Sequence, residues 1–377
     1  MTIPPSEPTE PGTVTAPATA PPQWAWAQPQ PVYVPVETEP LEYHRLYRGA
    51  PKYRWWKPLL VFLLAVSYYL AMNLTLSLLF IPLLMVFDPE YAQGAFLLQD
   101  QAILDTQHPW SLVMSMTLII LFIPAVILAM LSLGIRPTGR VWSVAGRIRW
   151  GLLGRTLGAA LVGVIVMNGV GILADMVIDG ITGATGAEAP ELPADFDVNA
   201  AIISMVLVVL LVPFQAAAEE VAFRGLLLQV FGSWMKSPWL AIGLSTVAFA
   251  AMHIYDIWGL IAVGLMGLVA AWLTWKTGGL EAAIAIHVLN NLIAFAFMAS
   301  GITGETAQVE SGSGIESIIG EIAGLAVFAW LVIRIFRKHG YGRERIDVVM
   351  QPVQPSAAAP VEPQQQPQPT PPVHPGS

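Results

Sequence analysis

Three short polar groups interrupt long apolar stretches of the chain. They are Ala218-Glu219-Glu220-Val221-Ala222-Phe223-Arg224-Gly225, Phe249-Ala250-Ala251-Met252-His253 and His287-Val288-Leu289-Asn290-Asn291. An ionisable side chain inside a membrane is costly and is by default a functional hypothesis. Of the six histidines, His44, His108, His339 and His374 fall in tails, a loop or a terminal basic cluster, leaving His253 and His287 in apolar segments. Positions i and i+4 share a helix face. Glu220 and Arg224 can therefore form an intrahelical ion pair, and His287 and Asn291 can reach one target together. Glu219 lies about 100° around the helix from Glu220 and can point into a cavity. The constellation is one free carboxylate, two imidazoles and an amide.

These types suffice for hydrolysis of an amide bond by an activated water. A buried carboxylate beside an imidazole can hold and deprotonate the water. A His and an Asn on the opposite wall can donate hydrogen bonds to the developing oxyanion. No serine or cysteine nucleophile is needed. The same Glu219, His253 and His287 could instead bind zinc with one open position, although no HExxH occurs. Taken singly, each signal has a bland explanation. A Glu–Arg pair is usually structural, and Glu220–Arg224 is read that way here. A buried His usually packs, and a membrane Asn often joins helices. Together, on three stretches, they favour a site. Asp175, Glu281 and Glu321 sit near the ends of apolar stretches with no evident partner and read as interfacial.

Eight apolar stretches must position these groups, each near the ~20 residues that cross a bilayer. They run over 58–87, 110–134, 152–178, 199–231, 238–254, 257–275, 280–299 and 315–336. The first is long, and Pro82 could break it; the fifth is short; Pro124 and Pro213 are expected to bend helices. If the fourth helix leaves the membrane near Lys236, Glu219 lies about 25 Å deep, His253 about 22 Å and His287 about 16 Å at most. Those depths allow one buried site, whereas a fourth helix ending at Glu219 would not.

Composition agrees. Hydrophobic residues make up 55% and charged residues 12%, with mean hydropathy +0.61. Soluble domains carry about twice that charge, so the chain reads as all-α and polytopic. The net charge of -8 leaves no basic face for nucleic acid. With no cysteine, disulfides, thiolate metal sites and thiol catalysis are excluded. With the N-terminus inside, 17 of the 18 Lys and Arg fall on the cytoplasmic side, and the other is Arg224 within a span. Loops 88–109, 179–198 and 300–314 carry acids and no Lys or Arg. Eight spans with both termini cytoplasmic satisfy the positive-inside rule. Residues 1–50 and 346–377 hold most of the prolines and are expected to be disordered tails flanking a membrane domain at 51–345. Trp24 and Trp26 are read as chance aromatics, and no cleaved signal peptide is expected. Gly154, Gly158 and Gly163, and the Gly320–Gly324 GxxxG, are expected to pack helices within the chain.

In order, Glu219-Glu220-x-x-x-Arg224, Phe249-x-x-x-His253 and His287-x-x-x-Asn291 resemble the three motifs of the CAAX prenyl-protease and bacteriocin-processing (ABI, CPBP) family of intramembrane endopeptidases. Phe223-Arg224-Gly225 and Thr277-Gly278-Gly279 fit the same pattern, and the likeness covers about 199–297. It implies a helical membrane endopeptidase with a cavity opening to the cytoplasm. Glu219 would be the general base and His253 would help position the water. His287 and Asn291 would stabilise the oxyanion, and Glu220 with Arg224 would hold the motif in shape. The resemblance leaves a metal-dependent and a glutamate-dependent mechanism open. Without a third strong ligand the donor set leans to the latter, with zinc as the alternative cofactor.

The expected function is cleavage of a membrane-associated protein or peptide near the cytoplasmic face, by a multi-pass protein of the plasma membrane. Nothing reads as a prenyl-binding groove. A non-catalytic immunity or scaffold protein that binds a peptide is the alternative. A proton-coupled transporter is a weaker one, because no internal repeat is visible and the polar residues form one cluster.

Overall fold

The computed structural model describes residues 32–96, 104–183, 191–308 and 314–353. The chain divides into two units, Pro35–Met350 and a smaller one of Met1–Val34 with Gln351–Ser377. In the smaller unit, residues 32–34 and 351–353 are described, and they are strand. Most of the expected tails, Trp24 and Trp26 included, lies outside the described residues.

The larger unit is helical, and each of the eight apolar stretches forms a helix. They are α1 (Lys57–Phe87), α2 (Pro109–Ser132), α3 (Trp150–Thr182), α4 (Val198–Gly232), α5 (Trp239–Ala251), α6 (Ile257–Thr277), α7 (Glu281–Ser300) and α8 (Ile315–His339). Seven are long and apolar enough to cross a membrane. The exception is α5, whose 13 residues reach only about 20 Å against a hydrocarbon core of about 30 Å. The protein is a multi-pass integral membrane protein. α1 runs through Pro82 and α4 through Pro213 without a break. α2 is interrupted at Leu121, where the ring of Pro124 crowds the preceding turn.

α7 packs against α3, α4 and α6, and its residues Glu281–Val288 are all buried. α3 and α8 pack most closely, and glycine is the reason. A Cβ added at Gly324 would lie 2.9 Å from Met167 Cα, and one at Gly320 would lie 2.9 Å from Gly171 Cα. Side chains there would hold the helices apart. The GxxxG thus serves contact within the chain, joined by Gly163, where an added Cβ would meet Phe328 Cβ at 2.9 Å. Gly154 and Gly158, expected to share this role, meet nothing within 4 Å among the described residues.

The expected tail boundaries need correction. Residues 41–50 are folded, not disordered. Leu41–Glu42 pairs antiparallel with Glu344–Arg345, and a 3₁₀ turn at Tyr43–Gly49 buries Tyr43, His44, Leu46 and Tyr47. Four apolar or aromatic side chains within seven residues outweigh the Pro-rich composition upstream. Arg140, fully buried, ties the layer together. It donates to the carbonyls of Leu46 and Arg136 and pairs with Asp347 at 3.2 Å. Asp347 is itself buried, so the C-terminal boundary at 346 also falls inside folded structure.

Candidate active site

The first motif lies in the second half of α4, where the helix changes pitch. Val198–Glu220 is α-helical, Val221–Leu227 forms a π-helical turn, and Leu228–Gly232 resumes the α-helix. The helix therefore continues past Glu219, as the depth argument required. A π-turn carries poorly placed carbonyls that need partners. Here the Ser245 hydroxyl of α5 donates to Phe223 C=O at 2.8 Å. Gly225 lets the turn approach the 138–141 loop, since an added Cβ would lie 2.7 Å from Val141 Cγ2.

Glu220 and Arg224 form the expected ion pair at 2.9 Å, with both side chains buried. Arg224 also donates to Gly267 C=O at 3.1 Å, and its guanidinium lies 4.2 Å from the centroid of the Phe249 ring. Phe249 is fully buried. It meets His253 and His287 edge-on, with centroids 4.8 and 5.7 Å away. The aromatic residue of the second motif is thus a wedge that spaces the two imidazoles.

His287 bridges both glutamates. Its Nδ1 lies 2.8 Å from Glu220 Oε1 and its Nε2 lies 3.4 Å from Glu219 Oε2. His253 follows the last turn of α5, with Nδ1 2.8 Å from Phe249 C=O. A carbonyl only accepts, so this nitrogen carries a proton, and in the neutral form of the ring the lone pair lies on Nε2. Among the described residues the ring beside Glu219 is therefore His287. His253, expected to help position the water, lines the same cavity.

Gln215 completes the group. It lies one turn before Glu219 on the same face, is buried, and donates from Nε2 to Glu219 Oε1 at 2.7 Å. Its Oε1 accepts from Asn291 Nδ2 at 3.2 Å. Glu219 and Asn291 thus meet through Gln215, which the sequence reading missed. The i, i−4 spacing that linked Glu220 with Arg224 would have found it.

These side chains open on a cavity of about 370 Å³. Its walls are mostly apolar and include Tyr69, Phe122, Val263, Met266 and Phe295, with Asn290 beside Asn291. From the cluster the cavity follows α7 to Met298 and reaches Leu104, Tyr255 and Gln308, at the end of the bundle whose loops lack Lys and Arg. The basic end is filled by the 41–50 segment and the 138–141 loop.

The zinc set does not assemble. Among the described residues no group of three or more His, Asp or Glu side chains stands close enough to hold a metal ion. Both nitrogens of His287 already face carboxylates, and His253 Nδ1 is committed to a carbonyl. Two acids read as interfacial are also corrected. Glu281 is buried and paired with Arg149 at 2.7 Å, a partner too distant in sequence to anticipate. Glu321 is buried within α8.

The fold and cluster define a polytopic membrane protein with a carboxylate–imidazole–amide site at the base of an internal cavity. Residues 200–293 match the family described as Type II CAAX prenyl endopeptidase Rce1-like, the family that the three motifs resemble. YyaK of Bacillus subtilis (strain 168), an uncharacterized protein, is 31% identical over 111 residues, 28% of this chain and 37% of the relative. The chain thus spans little more than a third of the length of that curated relative. No solved structure matches.

Proposed function

We propose that the protein is an intramembrane endopeptidase that cleaves a membrane-associated protein or peptide with a water activated by Glu219. The observation that carries this reading is the grouping of Glu219, His253, His287 and Asn291 around one cavity. In the reaction Glu219 takes a proton from water as the oxygen attacks the scissile carbonyl. His253 Nε2 accepts a hydrogen bond from the same water and orients it. Asn291 has a second amide N–H beyond the one given to Gln215, and His287, when protonated, has an Nε2–H whose 3.4 Å contact with Glu219 can give way to the oxyanion as Glu219 takes up the water proton and loses its charge. These two donors stabilise the oxyanion. Collapse of the intermediate breaks the C–N bond, and Glu219 returns its proton to the leaving amine. Every step uses the chain's own residues.

The test compares terminal peptides in membranes of cells carrying wild type, Glu219→Gln or His253→Ala at matched levels. New termini present with wild type and lost in both variants support the protease and name its substrate. Identical profiles, with both variants inserted normally, overturn it and move the peptide-binding immunity or scaffold reading to first place.

A further inference from the structure

The two ends of the membrane bundle differ in charge and in packing. One end carries Lys57, the basic 136–155 loop, Lys236, Lys276 and the basic run 334–345. The other carries loops 88–109, 179–198 and 300–314, with acids and no Lys or Arg. By the positive-inside rule the second end is extracytoplasmic.

The basic end is closed beneath the site. Val221–Leu226 of the π-turn are all buried. Gly225 lies against Val141, whose carbonyl accepts from the Tyr43 hydroxyl. Gln229 donates to Arg140 C=O at 3.0 Å, and Arg48 donates to Ser233 C=O at 3.0 Å. The folded segments that the composition had suggested were loose tails thus cap the cytoplasmic end of α4.

The opposite end is where the cavity leads. His287, Asn291, Ala294, Phe295 and Met298 of α7 line it, at the i, i+4, i+7, i+8 and i+11 positions of one helix face. That row covers about 16 Å, and Met298 is two residues from the helix end at Ser300. Beyond it Gln308 and Leu104 also line the cavity, joined by a Gln308 N–H to Leu104 C=O bond of 2.9 Å. The intervening wall is apolar, and Gln215, Asn290 and Asn291 cluster at the end nearest Glu219.

We propose that substrate reaches the Glu219 cluster from the extracytoplasmic end, as an apolar polypeptide segment exposed on that face. The substrate class rests on the protease reading; the side of access rests on the lining and closure just described. A chain segment laid along α7 would place apolar side chains on Phe295 and Met298 and carry its peptide bond to Glu219. Substrates presented only from the cytoplasm would meet the capped end.

The chain has no cysteine, so single cysteines report access without background. Gln308→Cys and Ala294→Cys probe the cavity, and Glu344→Cys, at a side chain 42% exposed, probes the basic end. Each full-length variant is treated with a charged, membrane-impermeant thiol reagent, in intact cells stripped of outer layers and in inside-out vesicles. The expected result is reaction of Gln308→Cys and Ala294→Cys in cells and of Glu344→Cys only in vesicles. Attachment of a bulky group at Gln308→Cys is expected to abolish cleavage. The proposal is overturned if the cavity cysteines react only in inside-out vesicles. It is also overturned if they react only with a lipid-soluble maleimide, which would put access within the bilayer. Labelling needs no turnover. If Glu219→Gln leaves the terminal peptides unchanged while this labelling pattern holds, the protease reading fails and the side of access stands.

Discussion

Replacing Gln215 by Met tests whether the site works as a connected unit. Glu219 as a carboxylate can only accept, so Gln215 must present its NH₂ to Glu219 and its oxygen to Asn291. One amide thus orients the proposed base and turns a proposed oxyanion donor. Methionine keeps the length and apolar character of the side chain, so α4 should insert normally, while both hydrogen bonds are lost. A hydrogen bond to a charged group contributes about 1.5–3 kcal/mol, and about 1.4 kcal/mol is tenfold in rate. If that orientation is needed in the transition state, kcat/KM should fall about ten- to hundredfold. The assay is cleavage of a synthetic peptide spanning the bond found by terminal proteomics, using purified protein in detergent. Gln215→Met, Asn291→Ala and the double variant form a cycle. Bridging predicts that the double variant loses less than the product of the two single losses, by a coupling of about 1 kcal/mol. Wild-type kinetics for Gln215→Met, or losses that simply multiply, would refute the linkage.

Two further outcomes follow from the packing. Arg224→Met should leave Glu220 buried beside His287 without its guanidinium, at a cost of about 3–5 kcal/mol. Thermal unfolding in detergent should show a clear loss, much of it recovered by adding Glu220→Gln; an unchanged midpoint would refute the structural role. His44 is fully buried with Nε2 3.2 Å from Lys236 C=O, and burial lowers its proton affinity, with Glu42 opposing and Arg45 adding to that effect. The open segment then binds more protons than the docked one. Docking of Tyr43–Gly49 is therefore complete above the ordinary His value of about 6.5 and weakens as pH falls below it. Protection from hydrogen exchange in this segment, taken relative to the intrinsic rate at each pH, should fall between about pH 7.5 and pH 5.5, and His44→Gln should flatten the change.

The helices were legible because apolar stretches long enough to span a bilayer cannot easily do anything else. The Glu220–Arg224 pair was legible because both residues lie on one helix. What lay beyond the sequence was registration between helices. Which imidazole stands beside Glu219 depends on how α5 and α7 slide against α4, and no spacing within one helix records that. Gln215 was hidden differently: an amide in an apolar run draws less notice than a charge, although its face was already known. Residues 41–50 were obscured by the prolines before them, which set the average while Tyr43, Leu46 and Tyr47 set the fold.

The site divides its supports between the two ends of the helix bundle. Toward the basic end the π-turn is held from three directions: by Ser245 of α5, by Val141 against Gly225, and by Gly267 of α6 through Arg224. These contacts fix Glu220, and Glu220 fixes His287 through Nδ1. On the other side Glu219, Gln215 and Asn291 face the cavity and hold one another rather than the scaffold. The proposed reacting groups thus stand where the packed half ends and the open half begins. A carboxylate at that boundary can meet water and substrate from the cavity while its neighbours stay rigid. Had the cavity opened toward the basic end, substrate would have had to displace the Arg140 and Tyr43 layer that holds the π-turn in place.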